Sequence, residues 1–147
     1  MSTTARQVFN LAIALMDEMN ENTGATDTTD TKEYKLRTPN ILNVLRGELY
    51  PYSDTYETES DGSRPVCAVI ESIDDTIDID DVLCQTVMPY GLAAHLLLGE
   101  NNTAAGFFQQ RYEEMREKLK NSPASFESIS DAYGSGGYFP YNEFGRW

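Results

Sequence analysis

Basic residues are scarce in this 147-residue chain. Lys and Arg number 11 against 24 Asp and Glu, a formal net charge of −13. A nucleic-acid groove needs a net basic face to neutralise phosphates, so this balance argues against one. Cysteine is nearly absent: Cys67 and Cys84 are the only two, in no paired metal spacing. Two buried, reduced thiols are expected, with a disulfide or a reactive thiol as the alternatives. Histidine occurs once, as His95. A single unflanked His supports no Ser-His-Asp arrangement, and a hydrogen-bonded structural role on its helix is expected. Long apolar runs are missing too. The longest spans residues 92–98 and contains His95, far short of the ~20 residues that cross a bilayer. The N-terminal Met1-Ser2-Thr3-Thr4-Ala5-Arg6 lacks the charged-then-apolar order of a signal peptide. The expectation is a soluble, single-domain cytoplasmic protein whose 40% apolar residues fill one modest core.

What is present is unevenly placed. Residues 50–81 carry ten acidic and one basic residue, while residues 82–120 carry four of each. The charge excess is therefore a local acidic surface. Asp54, Glu57, Glu59, Glu71, Asp74, Asp75 and Asp78 are its candidate members. Asp at alternate positions can ligate calcium, but Ile77 and Ile79 interrupt the run, no sixth-position Gly is present and no Glu closes it. Helix capping and a solvated face are the expected roles. Aromatics concentrate at the other end: seven of 16 lie in the last 27 residues, set among Gly and Ser. Gly134, Gly136 and Gly137 lack the following Lys-Ser/Thr of a phosphate loop.

Periodicity predicts about four helices. Residues 4–19 carry a stripe of Ala5, Val8, Ala12, Leu15 and Met19, widened by Phe9, Ile13 and Met16. A helix apolar on more than one side calls for more than one neighbour. Residues 22–30 read as a loop. The second helix is best defined over residues 39–49, with Thr38 as N-cap, Pro39 in the first turn and residues 32–37 as an earlier, offset turn. Asp61-Gly62 signals a tight turn, so residues 52–59 and 65–71 could pair as a β-hairpin within a 50–72 insertion. The third helix starts near Asp80 or Asp81 and carries Leu83, Val87, Tyr90, Ala94 and Leu97, with a kink at Pro89. Gly91 permits close helix approach. Asn101 or Asn102 caps a fourth helix ending near Lys120, whose seam is Ala105, Phe108, Tyr112, Met115 and Leu119. The third and fourth helices should pack on each other. Residues 121–147 have no period. Aromatics that cannot bury themselves suit an extended docking arm, with Tyr133, Tyr138, Phe139, Tyr141, Phe144 and Trp147 as anchors.

Four segments, in order, resemble the head–tail connector (adaptor) proteins of tailed phages. They are Arg37-Thr38-Pro39-Asn40-Ile41-Leu42-Asn43-Val44-Leu45, the Ile73-Asp74-Asp75-Thr76-Ile77-Asp78-Ile79-Asp80-Asp81-Val82-Leu83 run, Met88-Pro89-Tyr90-Gly91-Leu92-Ala93-Ala94-His95-Leu96-Leu97-Leu98, and Phe107-Phe108-Gln109-Gln110-Arg111-Tyr112-Glu113-Glu114. The resemblance covers residues 1–120 and contains no catalytic signature. It implies a helical connector domain over 1–120, a C-terminal arm over 121–147, no enzymatic activity and no cofactor or metal. It also implies a homo-oligomeric ring of about twelve copies, heterologously joined. The ring lies beneath the portal protein in the virion neck, extends the DNA channel without specific DNA binding, and receives a stopper or tail-completion protein below. The arm residues named above would reach the portal. An acidic channel wall repels phosphate and lets the duplex slide. Two other readings stand beside it: an acidic DNA mimic that inhibits a host DNA-binding enzyme, and another neck protein such as a stopper or tail-completion protein.

Overall fold

The computed structural model describes residues 2–53 and 68–120. Its regular structure is helical: α1 (Ala5–Leu15), α2 (Lys32–Leu49) running into a 3-10 turn (Tyr50–Tyr52), α3 (Asp81–Thr86), α4 (Met88–Leu97) and α5 (Asn102–Lys120). The only β pairing among the described residues is an isolated antiparallel bridge between Thr4 and Thr76.

α1 opens on a capping box. The Thr4 hydroxyl accepts from the Gln7 amide while the Gln7 side chain accepts from the Thr4 amide at 2.9 Å. Ala5, Val8, Phe9, Ala12 and Ile13 are buried. The helix ends four residues sooner than its stripe predicts, because Asp17 adopts the left-handed conformation at φ 59°. Met19 therefore lies beyond the helix and exposed.

α2 corrects the sequence reading more sharply. It begins at Lys32, so Pro39 sits inside it and Thr38 is not its N-cap. Pro39 removes the N–H that would reach the Lys35 carbonyl. Thr38 is fully buried and donates its hydroxyl to the Tyr34 carbonyl at 2.8 Å, a local tie across the proline's turn. Leu42, Leu45 and Leu49 face the core as expected.

The expected third helix divides at Val87 into α3 and α4, with Pro89 in the first turn of α4. Proline there lacks the bond to the Gln85 carbonyl, and the division falls where that bond is missing. α4 is the centre of the molecule. Eight of its ten residues are buried, and α1, α2, α3 and α5 all pack on it. Its contact with α5 is the most extensive in the fold, as the two stripes predict: Leu83, Val87, Ala94 and Leu97 are buried, as are Ala105, Phe108 and Tyr112, with Tyr90, Met115 and Leu119 partly covered. Asn101 is the cap of α5, accepting from the Ala104 amide at 3.1 Å, while Asn102 accepts from the Gly99 amide at 2.9 Å.

Most of the candidate hairpin lies outside the described residues. The described end of its second strand, residues 68–71, is irregular. Its backbone is paired instead by a side chain. Asn43 donates to the Ile70 carbonyl and accepts from the Ile70 amide, both at 2.9 Å. An amide group reproduces the donor–acceptor pair of a peptide, so Asn43 acts as a one-residue strand partner. Arg46, which is buried, donates to the Ala68 carbonyl.

Candidate functional site

The acidic residues that can be described do not form one uniform surface. Asp54, Glu57 and Glu59 lie outside the described residues. Glu71, Asp74 and Asp78 are exposed. Asp74 is drawn into an ion-pair network that spans the sequence. Its carboxylate lies 2.8 Å from Arg6 Nε, Arg6 Nη1 lies 3.4 Å from Asp27, and Asp27 lies 2.7 Å from Lys35 Nζ. The hydrogen bond from Lys35 holds the Asp27 carboxyl below its ordinary range, and the Arg6 hydrogen bond does the same to Asp74. Asp75 is turned onto its own loop and accepts the Glu71 and Ser72 amides, each at 2.9 Å. Those bonds lower its pKa, the Ser72 bond most. Farther on, Asp81 clamps the N-terminal segment to α3, accepting the Thr3 amide at 2.8 Å and the Thr3 hydroxyl at 2.7 Å. Among the described residues no group of three or more His, Cys, Asp and Glu is disposed to hold a metal ion.

These shifts have a pH consequence. Asp27, Asp74 and Asp75 each bind their proton more weakly in the folded state than unfolded. Their contribution is therefore complete above the ordinary carboxylate value of 3.8 and is lost as pH falls through the lowered folded values. Asp75→Asn removes one such linked proton. Urea unfolding at a series of pH values should show stability declining less steeply with acid below about pH 4 in that variant than in the parent. Equal slopes would contradict the assignment.

Of Cys84 and His95, only the cysteine is enclosed; the His95 side chain is exposed and is not the hydrogen-bonded structural histidine expected. Cys84 is a buried free thiol 3.9 Å from the Ile79 carbonyl. Burial, reinforced by Asp81 and Asp80, pushes it up to about 12, so it is inert as a thiolate at neutral pH. Cys67 lies outside the described residues. His95, expected beside the packing stripe, is exposed on α4. Its backbone carbonyl accepts Arg37 Nη2 at 3.1 Å, tying α2 to α4.

Among the described residues, a groove lies between α1 and α5. Both helices pack on α4 but have little contact with each other. One hollow, about 430 Å³, is lined by Leu11 and Leu15 of α1, Pro89 and Tyr90 of α4, and Arg111 and Met115 of α5. A second, about 410 Å³, is lined by Leu15, Met16, Leu97, Ala104 and Phe108 together with the polar Glu18, Glu100 and Asn101. Leu15 lines both. Tyr90 and Phe108 lie 6.2 Å apart between ring centroids, and the Arg111 guanidinium stands 5.6 Å from the Tyr90 ring. Leu11 and Leu15 remain 38% and 39% exposed. The broad apolar face of α1 called for more than one neighbour, and α1 packs on α4, α2 and α3; the groove itself had no signal in the sequence.

The aromatic residues Tyr133, Tyr138, Phe139, Tyr141, Phe144 and Trp147 all lie outside the described residues. No protein-family model, no curated protein and no solved structure matches the chain.

Proposed function

We propose that this chain is a structural head–tail connector of a tailed phage, a ring subunit beneath the portal protein that extends the DNA channel. One observation carries the reading: connector-like segments follow one another in order along a small helical bundle. In this chain they fall on α2, on the segment leading into α3, on α4 and on the middle of α5. The proposed protein is not an enzyme and needs no metal or cofactor. The exposed Glu71 and Asp78 suit a surface that repels duplex phosphate, alone or together with Asp54, Glu57 and Glu59, while Asp74 is paired with Arg6. The arm over 121–147 meets the portal through its aromatic anchors, which contribute the burial that offsets the ordering of a Gly/Ser-rich backbone. The other face of the ring receives a stopper or tail-completion protein.

The test is assembly. Full-length protein incubated with tail-less, DNA-filled heads should attach as a ring visible by electron microscopy. The variant with Tyr133, Tyr138, Phe139, Tyr141, Phe144 and Trp147 replaced by Ser should attach at least tenfold less. Normal attachment of that variant would remove the arm from the reading. Failure of the parent protein to attach, combined with competition against DNA for a host DNA-binding enzyme, would favour the acidic-mimic reading instead.

A further inference from the structure

We propose that the groove between α1 and α5 receives the outer face of α2 from a second copy of this chain, a head-to-tail contact that repeats from copy to copy. The placement of the two faces is the first argument. Around α4 the helices follow one another as α1, α2 and α5. α1 packs on α2, and α2 meets α5 where Glu48 accepts the Tyr112 hydroxyl and where Leu45 and Tyr112 close over Gly91. The groove lies in the remaining interval, so α2 is on the opposite side of α4. The outer face of α2 carries Leu36, 70% exposed, and Val44, 58% exposed, with the exposed Asn40 between them. Residues four apart share one side of a helix. An apolar groove on one side and an apolar ridge on the other cannot meet within one chain. They can meet between copies, and such a heterologous contact propagates until it closes.

Direction and charge are the second argument. α2 runs antiparallel to α4: Arg37, near its start, donates to the His95 and Leu96 carbonyls, while Leu45 lies beside Gly91. The groove follows the same axis. Leu97, at the end of α4, lines the hollow that holds Glu18 and Glu100, and Pro89, at its start, lines the hollow that holds Arg111. Copies standing side by side in one orientation therefore bring the start of α2 to Glu18 and Glu100 and its last turn to Arg111. The charges agree with this. The exposed Lys32 and the positive end of the α2 dipole meet two carboxylates, with the neighbouring Glu33 offsetting part of the match, and the exposed Glu48 meets a guanidinium. Turning one copy end for end would set Lys32 against Arg111 and Glu48 against Glu18 and Glu100. Electrostatics thus selects the parallel arrangement, in which copies can go on adding. The pairing needs only copies of this chain; its closure into a ring beneath a portal rests on the connector reading.

Sedimentation velocity of the full chain over a concentration series, with no phage heads present, reads the contact. The parent should form species larger than a monomer as concentration rises. Leu36→Gln with Val44→Gln removes the α2 ridge, and Leu11→Gln with Leu15→Gln removes the α1 wall of the groove. Glutamine keeps helix propensity, and an unchanged circular dichroism spectrum and urea midpoint identify each variant as folded. If the groove variant does not fold, Arg111→Glu takes its place. Each variant alone should stay monomeric where the parent associates. Mixed in equal amounts they should form a one-to-one dimer and nothing larger, because the intact groove of the first takes the intact α2 of the second and the remaining faces are both damaged. A parent that is monomeric throughout overturns the proposal. So does an α2 variant that associates like the parent, which would mark a symmetric groove-to-groove contact, and so does a mixture that yields no dimer. Heads that bind the chain normally despite such a failure would leave the connector reading with a ring joined through other faces. Pairing without any attachment to heads would remove the connector reading and keep this contact.

Discussion

Phe108→Ala should lower the unfolding free energy by about 3 kcal/mol, the lower end of the range for removing a buried aromatic side chain. Phe108 is 7% exposed and belongs to the single core cluster. Its ring lies 6.2 Å from Tyr90 of α4 and 5.4 Å from Phe107, so truncation removes apolar burial and two aromatic contacts together. The low end is expected because Phe108 also lines the second hollow. The vacated space opens to water there, so less of it remains as an enclosed void. Phe9→Ala provides the contrast. Phe9 is fully buried, so its loss leaves a closed cavity and should cost nearer to 5 kcal/mol. Urea unfolding of both variants checks the order, with the midpoint moving while the denaturant slope stays constant. A larger loss for Phe108 than for Phe9 would mean that the groove is closed where it is described as open.

The same two residues show how much of the fold could be read beforehand. Heptad-like spacing found the seam of α5 and the stripe of α4 because both bury one continuous line of side chains, and the period of a helix records that line directly. The end of α1 was illegible. It depends on the backbone of Asp17 entering the left-handed region, and no period encodes a single dihedral angle. Thr38-Pro39 was misread for a different reason. Ser, Thr and Pro at a helix start look alike whether the helix begins there or continues through. Here the Thr38 hydroxyl bonds the Tyr34 carbonyl, so the signal for a cap became a tie inside a longer helix. The turn signal at Asp61-Gly62 suggested a strand over residues 65–71, but in its described part Ile70 pairs with the Asn43 side chain rather than with another backbone. The acidic run was legible as composition and illegible as structure. Asp74 meets Arg6 from the far end of the chain, and the Asp75 carboxylate accepts the amides of its own loop while its carbonyl accepts the Ala5 amide. The broad apolar face of α1 was legible as a call for more than one neighbour, and α1 packs on α4, α2 and α3.

Gly91→Val should cost about 3 kcal/mol or more, and Gly91→Ala about 1–2 kcal/mol, against the usual helical preference. In an open helical position Ala is favoured over Gly by up to ~1 kcal/mol. At Gly91 that gain is outweighed. A Cβ there would lie 2.9 Å from Leu45 Cδ2, 2.9 Å from Tyr112 Cδ1 and 3.0 Å from Tyr112 Cε1. Neither neighbour can yield cheaply. Leu45 and Tyr112 are each 1% exposed, and Tyr112 is further anchored by its hydroxyl, which donates to Glu48 at 2.6 Å, while Arg116 holds the same carboxylate oxygen at 3.1 Å. The extra methyl must therefore push α2 or α5 away from α4, the helix on which both depend. Val adds two more carbons in the same space and a stiff χ1. Gly47 in α2 and Gly106 in α5 supply the control, because a Cβ at either meets nothing within 4 Å. Gly47→Ala and Gly106→Ala should stabilise the protein by up to ~1 kcal/mol. The sign of the change should thus reverse between helices for one chemical substitution. Thermal and urea unfolding of the three Ala variants measure it, and a stabilising Gly91→Ala would show that α2, α4 and α5 do not meet as closely as described.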